Sequence, residues 1–463
     1  MPAFVGRASE LALLDRAYHA AAGAFIPIYG RRRVGKSELI LRFLAKRPGL
    51  YFVGKQAPAA LQQREFLREA AGVMGDPLLA DAALTDWKTI LETIVSRWTR
   101  PEKLVLALDE FQWTAWASPE LPSVLQELWD RKWKRNGRVL LILCGSYLGF
   151  MEREVLGKKS PLFGRRTAQI LLQPFAHRDA ALFHPSLART EQARTYFVCG
   201  GVPWYLECFD QSRSVEANIM AQVLDEHGPL RQEPEFLLRE ELREVDRYYA
   251  ILLALASGAA TASDIARQAG IGNRALHYYL EQLVQLGYVR KRYPQTGARP
   301  RAHDVRYVLA DPLLRFWFRF VFPNISHLAQ MGAERTFRDR IQPDLDSYFG
   351  ACFEALCREA LPRIYERERV TAAFSVGEYW DKTTQIDLIG VRDDGVTDLG
   401  ECKWGTVRSA AALVAELQAK ASRFPNSRDA TLRLHAFTRQ PIAPSRRGPD
   451  RTVHWHDLAD VYA

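Results

Sequence analysis

Gly30-Arg31-Arg32-Arg33-Val34-Gly35-Lys36-Ser37 follows the apolar run Phe25-Ile26-Pro27-Ile28-Tyr29 and precedes a stretch, Glu38 to Ala45, whose spacing predicts a helix. The eight residues satisfy G-x-x-x-x-G-K-[ST] in the strand-then-helix context that this pattern requires. Gly30 and Gly35 let the backbone curl so that its N–H groups face a phosphate, and the helix start adds partial positive charge. Lys36 is placed to reach the outer phosphates of a nucleotide, and Ser37 to offer its hydroxyl to Mg²⁺.

Outward from this loop, Leu104-Val105-Leu106-Ala107-Leu108 runs into Asp109-Glu110. An acid pair at the end of an apolar strand suits the second half of such a site, with Asp109 holding Mg²⁺ and Glu110 polarising the attacking water. The run Val139-Leu140-Leu141-Ile142-Leu143 ends in Cys144-Gly145-Ser146. Ser146 is expected to reach the γ-phosphate or the water; the alternative is a helix N-cap. With Leu50-Tyr51-Phe52-Val53, these runs read as buried parallel strands joined by crossover helices. Arg165 and Arg166 are candidates to neutralise transition-state charge, either in cis or from a neighbouring subunit of a homo-oligomer. Gly200-Gly201-Val202-Pro203 marks a close backbone approach that suits nucleotide contact or a plain turn.

The expected fold class is therefore α/β, in four regions set by changes in hydrophobic period. Residues 1–173 form a P-loop NTPase core with a parallel sheet, 174–246 a helical lid, 247–323 a winged helix-turn-helix module and 324–463 a small α/β domain. In the last region the pattern predicts a helix from Pro343 to Leu361, strands Val370 to Phe374, Gln385 to Val391 and Asp398 to Lys403, and a helix from Ser409 to Ser422.

The 463 residues are 48% apolar and 25% charged, the balance of a globular protein. No apolar run approaches the roughly 18 residues that cross a bilayer, so no membrane partner is expected. Met1 to Arg7 lacks the basic start and apolar core of a secretory signal, and the expected location is the cytoplasm, with all six cysteines reduced. None of those cysteines has C-x-x-C or zinc-finger spacing. The net charge of +9 favours an anionic partner. Between Ile251 and Phe320, ten Arg or Lys, Arg299 and Arg301 among them, stand against four acids.

That basic stretch reads as three helices, Arg247 to Ala256, Thr261 to Ala269 and Gly272 to Leu286, with Gly270 and Gly287 as stops. Tyr288 to Lys291 can pair with Arg306 to Leu309 as a wing. The third helix would carry Arg274, His277 and Tyr278 to a DNA groove, and the wing would add Arg290, Lys291 and Arg292 for phosphates. The alternative is a packing module between its neighbours. Phe316, Trp317, Phe318 and Phe320 fit core packing at a domain junction better than a base-stacking platform.

In the tail, Gln385-Ile386-Asp387 and Leu399-Gly400-Glu401-Cys402-Lys403 place an acid in one strand and E-x-K in the next. Period two sets Glu401 and Lys403 on one face. Asp387 and Glu401 would hold Mg²⁺ or Mn²⁺, Glu354 on the preceding helix would complete the shell, and Lys403 would orient or activate water. This arrangement resembles the PD-(D/E)XK nuclease core of junction resolvases and restriction endonucleases, with Ile386 where the pattern has proline. Gln418 and Lys420 read as a solvated face or a DNA contact.

The chain as a whole resembles the prokaryotic STAND and origin-recognition branch of AAA+ ATPases, specifically archaeal-type ATPases with a nuclease-like C-terminal domain. The resemblance rests on Phe4-Val5-Gly6-Arg7-Ala8-Ser9-Glu10-Leu11, Tyr29 to Ser37, Leu108 to Gln112, Ser160 to Arg166, Gly200 to Pro203 and Asp311 to Phe320. It implies ATP binding with slow, gated hydrolysis, Gly6 and Arg7 near the base, and Pro203 near the nucleotide. The leading expectation is an ATP-dependent DNA-processing enzyme whose ATPase controls a metal-dependent nuclease. The alternative is a nucleotide-dependent regulatory switch that binds DNA or protein without cleavage, and a third reading is an oligomeric motor or loader.

Overall fold

The computed structural model describes residues 4–297, 304–447 and 452–463. Met1 to Ala3, Arg299 and Arg301 lie outside the described residues. The described chain gathers into two compact units, residues 1–174 with Val202–Trp204, and Phe175–Gly201 with Tyr205–Ala463.

In the first unit the apolar runs form strands β1 (Ala24–Tyr29), β2 (Gly49–Val53), β3 (Leu104–Asp109) and β4 (Val139–Gly145), with a short β5 (Ile170–Leu171). Their order is β2-β3-β4-β1-β5, all parallel. Every residue of β1, β3 and β4 is buried, because crossover helices pack on both faces of a parallel sheet. Two apolar clusters result: one contains Phe52, Phe66, Trp87 and Leu106, the other Ile26, Leu39, Ile40 and Ile142. Since β4 lies between β1 and β3, Ser146 sits between the phosphate loop and the Asp109-Glu110 pair. Ligands of parallel α/β sheets bind at this carboxyl edge.

The second unit begins with short helices, among them Arg189–Cys199 and Glu233–Glu241. The Gly200-Gly201 pair serves backbone packing here: a β-carbon on Gly201 would stand 1.7 Å from the Phe175 carbonyl oxygen. Three helices follow, Val245–Ala256, Ala262–Ala269 and Asn273–Gln285, and then β6 (Val289–Arg292) pairs antiparallel with β7 (Arg306–Leu309). Thr261 caps the second helix through Asp264 N–H, and Gly270 ends it at φ +66°, the left-handed stop that glycine permits. Phe316, Trp317, Phe318 and Phe320 are all buried, and Trp317 donates its indole N–H to the Arg231 carbonyl at 2.9 Å; they are core.

A second sheet follows the 26-residue helix Gln342–Arg367. Its strands are β8 (Phe374–Trp380), β9 (Gln385–Arg392), β10 (Val396–Lys403), β11 (Thr431–Thr438) and β12 (Val453–His456), in the order β12-β11-β10-β9-β8. Strands β8 to β10 are antiparallel and β10 to β12 parallel. The strand expected from Val370 to Phe374 lies further on, at β8. Val370 instead closes the preceding helix, its N–H donating to the Tyr365 carbonyl after left-handed Arg369 at φ 58°. Tyr365 reaches Asp398, whereas Lys420 on the helix Ala410–Ala421 reaches Glu401. Alternate residues of β10 point to opposite faces, so the two helices cover opposite sides.

Candidate functional site

The helix after the phosphate loop begins at Lys36, two residues before the position its apolar spacing predicts. Lys36 is 6% exposed, and its ammonium donates to the carbonyls of Gly30 at 3.0 Å and Arg31 at 2.8 Å. Burial lowers its pKa from the ordinary lysine value, while the charges of Glu110 and Asp109 oppose that shift. Gly35 has φ +87°, and a β-carbon there would stand 3.7 Å from Pro203. Arg33 lies over the Trp204 ring at 3.8 Å. Gly6 and Arg7 are both left-handed, at φ 65° and 62°. Arg7 donates to the carbonyls of Val34 at 3.0 Å and Gln173 at 2.8 Å, so it braces the loop from outside.

Asp109 is 1% exposed, and a buried carboxylate needs partners. It accepts from the Ser37 hydroxyl at 2.6 Å, the Tyr51 hydroxyl at 2.7 Å and the Glu110 N–H at 2.8 Å. Burial, followed by the Asp109 charge, raises the Tyr51 phenol. Glu110 accepts from the Ser146 hydroxyl at 2.8 Å and from the Gln112 amide. Gln112 Oε1 is buried without a partner among the described residues. Ser37 and Asp109 thus supply adjoining hard oxygen donors of the kind Mg²⁺ takes, and the orphaned Gln112 oxygen leaves polar capacity beside them. These residues fit a nucleotide with Mg²⁺.

The two arginines differ. Arg165 is committed to Asp130 through Nε at 3.0 Å and Nη2 at 2.8 Å, and its Nη1 donates to the Pro161 and Phe163 carbonyls. Four of its five N–H groups are thus engaged within the fold. Arg166 is exposed, and its charge acts on Tyr29 at the end of β1, where burial raises the phenol and Arg166 opposes that rise.

On the third helix of the winged module, Arg274, His277 and Tyr278 are exposed, Tyr278 at 61%. Arg290 is exposed as well. The other two wing cations depart from expectation: Lys291 ion-pairs with Glu281, and Arg292 turns inward to Glu378 of β8. Lys291 is claimed by a carboxylate of the module's own third helix, and Arg292 by one at the edge of the second sheet, along which the wing lies.

At that sheet, Glu401 is 2% exposed and accepts from Lys403 at 2.8 Å and Lys420 at 2.6 Å, one on each oxygen. Asp387 accepts the Cys402 N–H at 3.0 Å. Burial, then the Asp387 charge, pushes Glu354 up to about 7 and also raises Glu401. Among the described residues no three His, Cys, Asp or Glu side chains gather as a metal cage; Glu354, Asp387 and Glu401 are electrostatic neighbours that do not converge on one point. Both Glu401 oxygens are taken by lysines, so any cation reaching them would have to displace one.

Residues 4–209 match a family model described as an ATPase domain predominantly from Archaea. The first domain is an ATPase domain. Residues 244–292 match an IclR helix-turn-helix domain, and residues 317–414 match a family described as archaeal and bacterial proteins of unknown function. An uncharacterized protein of Methanocaldococcus jannaschii is 29% identical over 404 residues, covering 87% of each chain. A Walker-type ATPase of Pyrococcus abyssi superposes with a TM-score of 0.51 at 19% identity, over 68% of this chain and 96% of that one. The Aeropyrum pernix ORC2 protein gives 0.46 at 17% identity, over 71% and 96%. No helix among the described residues is long and apolar enough to cross a membrane.

Beside the ATPase domain's loop, sequence reasoning missed Tyr51. At the second sheet it missed Arg358 and Glu378 and set Lys420 aside. Two of these carry a signal: Arg358 stands four residues after Glu354 on one helix, and Lys420 falls three after buried Leu417. Glu378 carries none, because its partners come from the wing and a distant helix.

Proposed function

We propose that this protein is an ATP-dependent DNA-processing enzyme in which the ATPase domain governs a metal-dependent phosphodiester-cleaving site on the second sheet. The observation that carries the reading is the buried Glu401, held by Lys403 on its own strand and crowded by the charge of Asp387. Acids perturbed by burial and by a neighbouring charge cluster at functional sites. The strand order with its two flanking helices, and the helix-turn-helix domain earlier in the same unit, support it.

In the ATPase domain, Lys36 would bind the outer phosphates, Ser37 and Asp109 would hold Mg²⁺, and Glu110, steadied by Ser146 and Gln112, would take the proton of the attacking water. Mg²⁺ would neutralise phosphate charge there. On the second sheet, Asp387 and Glu401 would hold the cation, and Lys403, once released from Glu401, would orient water. Arg274, His277, Tyr278 and Arg290 would meet DNA.

The test is cleavage of labelled duplex, supercoiled, single-stranded and four-way-junction DNA with Mg²⁺ or Mn²⁺, with and without ATP. Asp387→Asn and Lys403→Ala should abolish product while ATP turnover persists. Cleavage unchanged in both would sink the assignment. The two lysines on Glu401 favour a second reading, a nucleotide-dependent switch that binds DNA without cutting. It predicts DNA affinity that changes with nucleotide and no product with any divalent metal.

A further inference from the structure

After β6 the wing strand does not end free. Pro294 bridges Glu378 in parallel, and the Gln295 N–H donates to the Glu378 carbonyl at 2.7 Å. Gly377 makes room for it, since a β-carbon there would stand 2.4 Å from the Gln295 side chain. Arg306 of β7 lays its guanidinium on Trp380, 4.5 Å from the ring centroid. The wing therefore caps the β8 edge of the second sheet. At this point β8 and β9 slip register: Gly377 faces Ile389 and Tyr379 faces Ile386, so Asp387 and Leu388 stand opposite the single residue Glu378. Irregular pairing of this kind is found next to functional sites.

Charges continue inward from the cap. Arg292 ion-pairs with Glu378, which is 6% exposed; Glu378 also faces Arg358 at 3.5 Å. Arg358 lies 4.0 Å from Glu354 and donates to the Asp387 carbonyl. Glu416 pairs with both Lys403 and Lys420, at 3.3 and 3.1 Å, so Glu354, Glu378, Asp387, Glu401 and Glu416 face Arg292, Arg358, Lys403 and Lys420, five against four. Burial, then the nearby Arg358 charge, brings Arg292 down to about 9. Adding a divalent cation to this set turns one surplus negative charge into one surplus positive charge in a poorly solvated place, and the wing arginine is the member that can leave with its own module.

We propose that the docked wing and a divalent cation compete for one set of carboxylates, so that Arg292 keeps the second-sheet site closed to metal until the wing leaves β8. This rests on the reading of that site as a metal site. Competition is reciprocal: whatever the wing costs the cation, the cation costs the wing.

The experiment is Mn²⁺ binding by the full chain, without nucleotide, in the wild type, Arg292→Gln, Gly377→Val and Asp387→Asn, counting only binding that Asp387→Asn abolishes. Hydrogen exchange at the Gln295 amide is followed in parallel. Arg292→Gln removes the charge, whereas Gly377→Val dislodges Gln295 and removes none. Both should tighten Mn²⁺ binding by about tenfold, and saturating Mn²⁺ should speed Gln295 exchange in the wild type. Equal Mn²⁺ affinity in the wild type and both variants would overturn the competition and leave the metal site standing. A gain confined to Arg292→Gln, with Gln295 still protected, would overturn wing release. Absence of any Asp387-dependent binding would overturn the metal site together with its gate.

Discussion

Glu110 carries a β-carbon at φ 46°, a left-handed backbone that costs about 1–2 kcal/mol. Buried Asp109 on one side and the Ser146 and Gln112 contacts on the other hold it there, and they aim its carboxylate into the site. Glu110→Gln keeps the shape and the hydrogen bonds but cannot take a proton. ATP binding should therefore survive while turnover falls on the order of 10²-fold or more, read by phosphate release beside equilibrium nucleotide binding; a full rate would move the base elsewhere. Asp109, Glu110 and Ser146 could be singled out because each stands at the end of an apolar run, and Lys36 and Ser37 because of the glycine spacing of the loop before them. The pairing of Arg165 with Asp130 was not foreseen, since the two lie 35 residues apart and no local spacing connects them. The same limit hid the inward turn of Arg292.

At the level of elements, the wing divides its cations between two tasks. Arg290 is exposed while Lys291 is neutralised by Glu281. Arg290→Ala should weaken DNA binding and lower the salt slope by about one ion, and Lys291→Ala should do less; anisotropy titrations over a range of salt decide it. The second sheet carries a polar ladder across three strands, Asp398 of β10 to His435 at 2.8 Å and His435 to His456 of β12 at 3.0 Å. Burial, with the His435 charge, lowers His456 from 6.5 to about 3. Between those values the folded state binds fewer protons than the unfolded one, so stability falls as pH drops below 6.5, approaching about 1.4 kcal/mol per pH unit. Thermal melts from pH 7 to 5 should show this slope, and His456→Gln should flatten it. Strands β1, β3 and β4 were legible as unbroken apolar runs. β11 and β12 were not foreseen, because Arg433, His435 and His456 place charge-bearing groups on inward positions and erase the alternation a half-buried strand shows.

For the molecule as a whole, changes of hydrophobic period separate 174–246, 247–323 and 324–463, whereas contacts gather Phe175–Gly201 and Tyr205–Ala463 into one unit. Period reports what kind of element a stretch forms and carries no record of which elements touch. The helix-turn-helix could be read from its caps and glycines; its seat on β8 rests on Gly377 and Gln295, two residues without a pattern. That seat has a consequence for solubility. An unpaired sheet edge offers its N–H and C=O groups to any other strand, and among the described residues the wing, at Pro294 and Gln295, pairs with the outer edge of β8. A fragment starting at residue 324 should therefore self-associate edge to edge, growing in light scattering as its concentration rises, while one that starts at residue 205 and keeps the wing should not. Cutting this protein at its apparent domain border would leave permanently bare a strand edge that the intact chain keeps covered while the wing is docked.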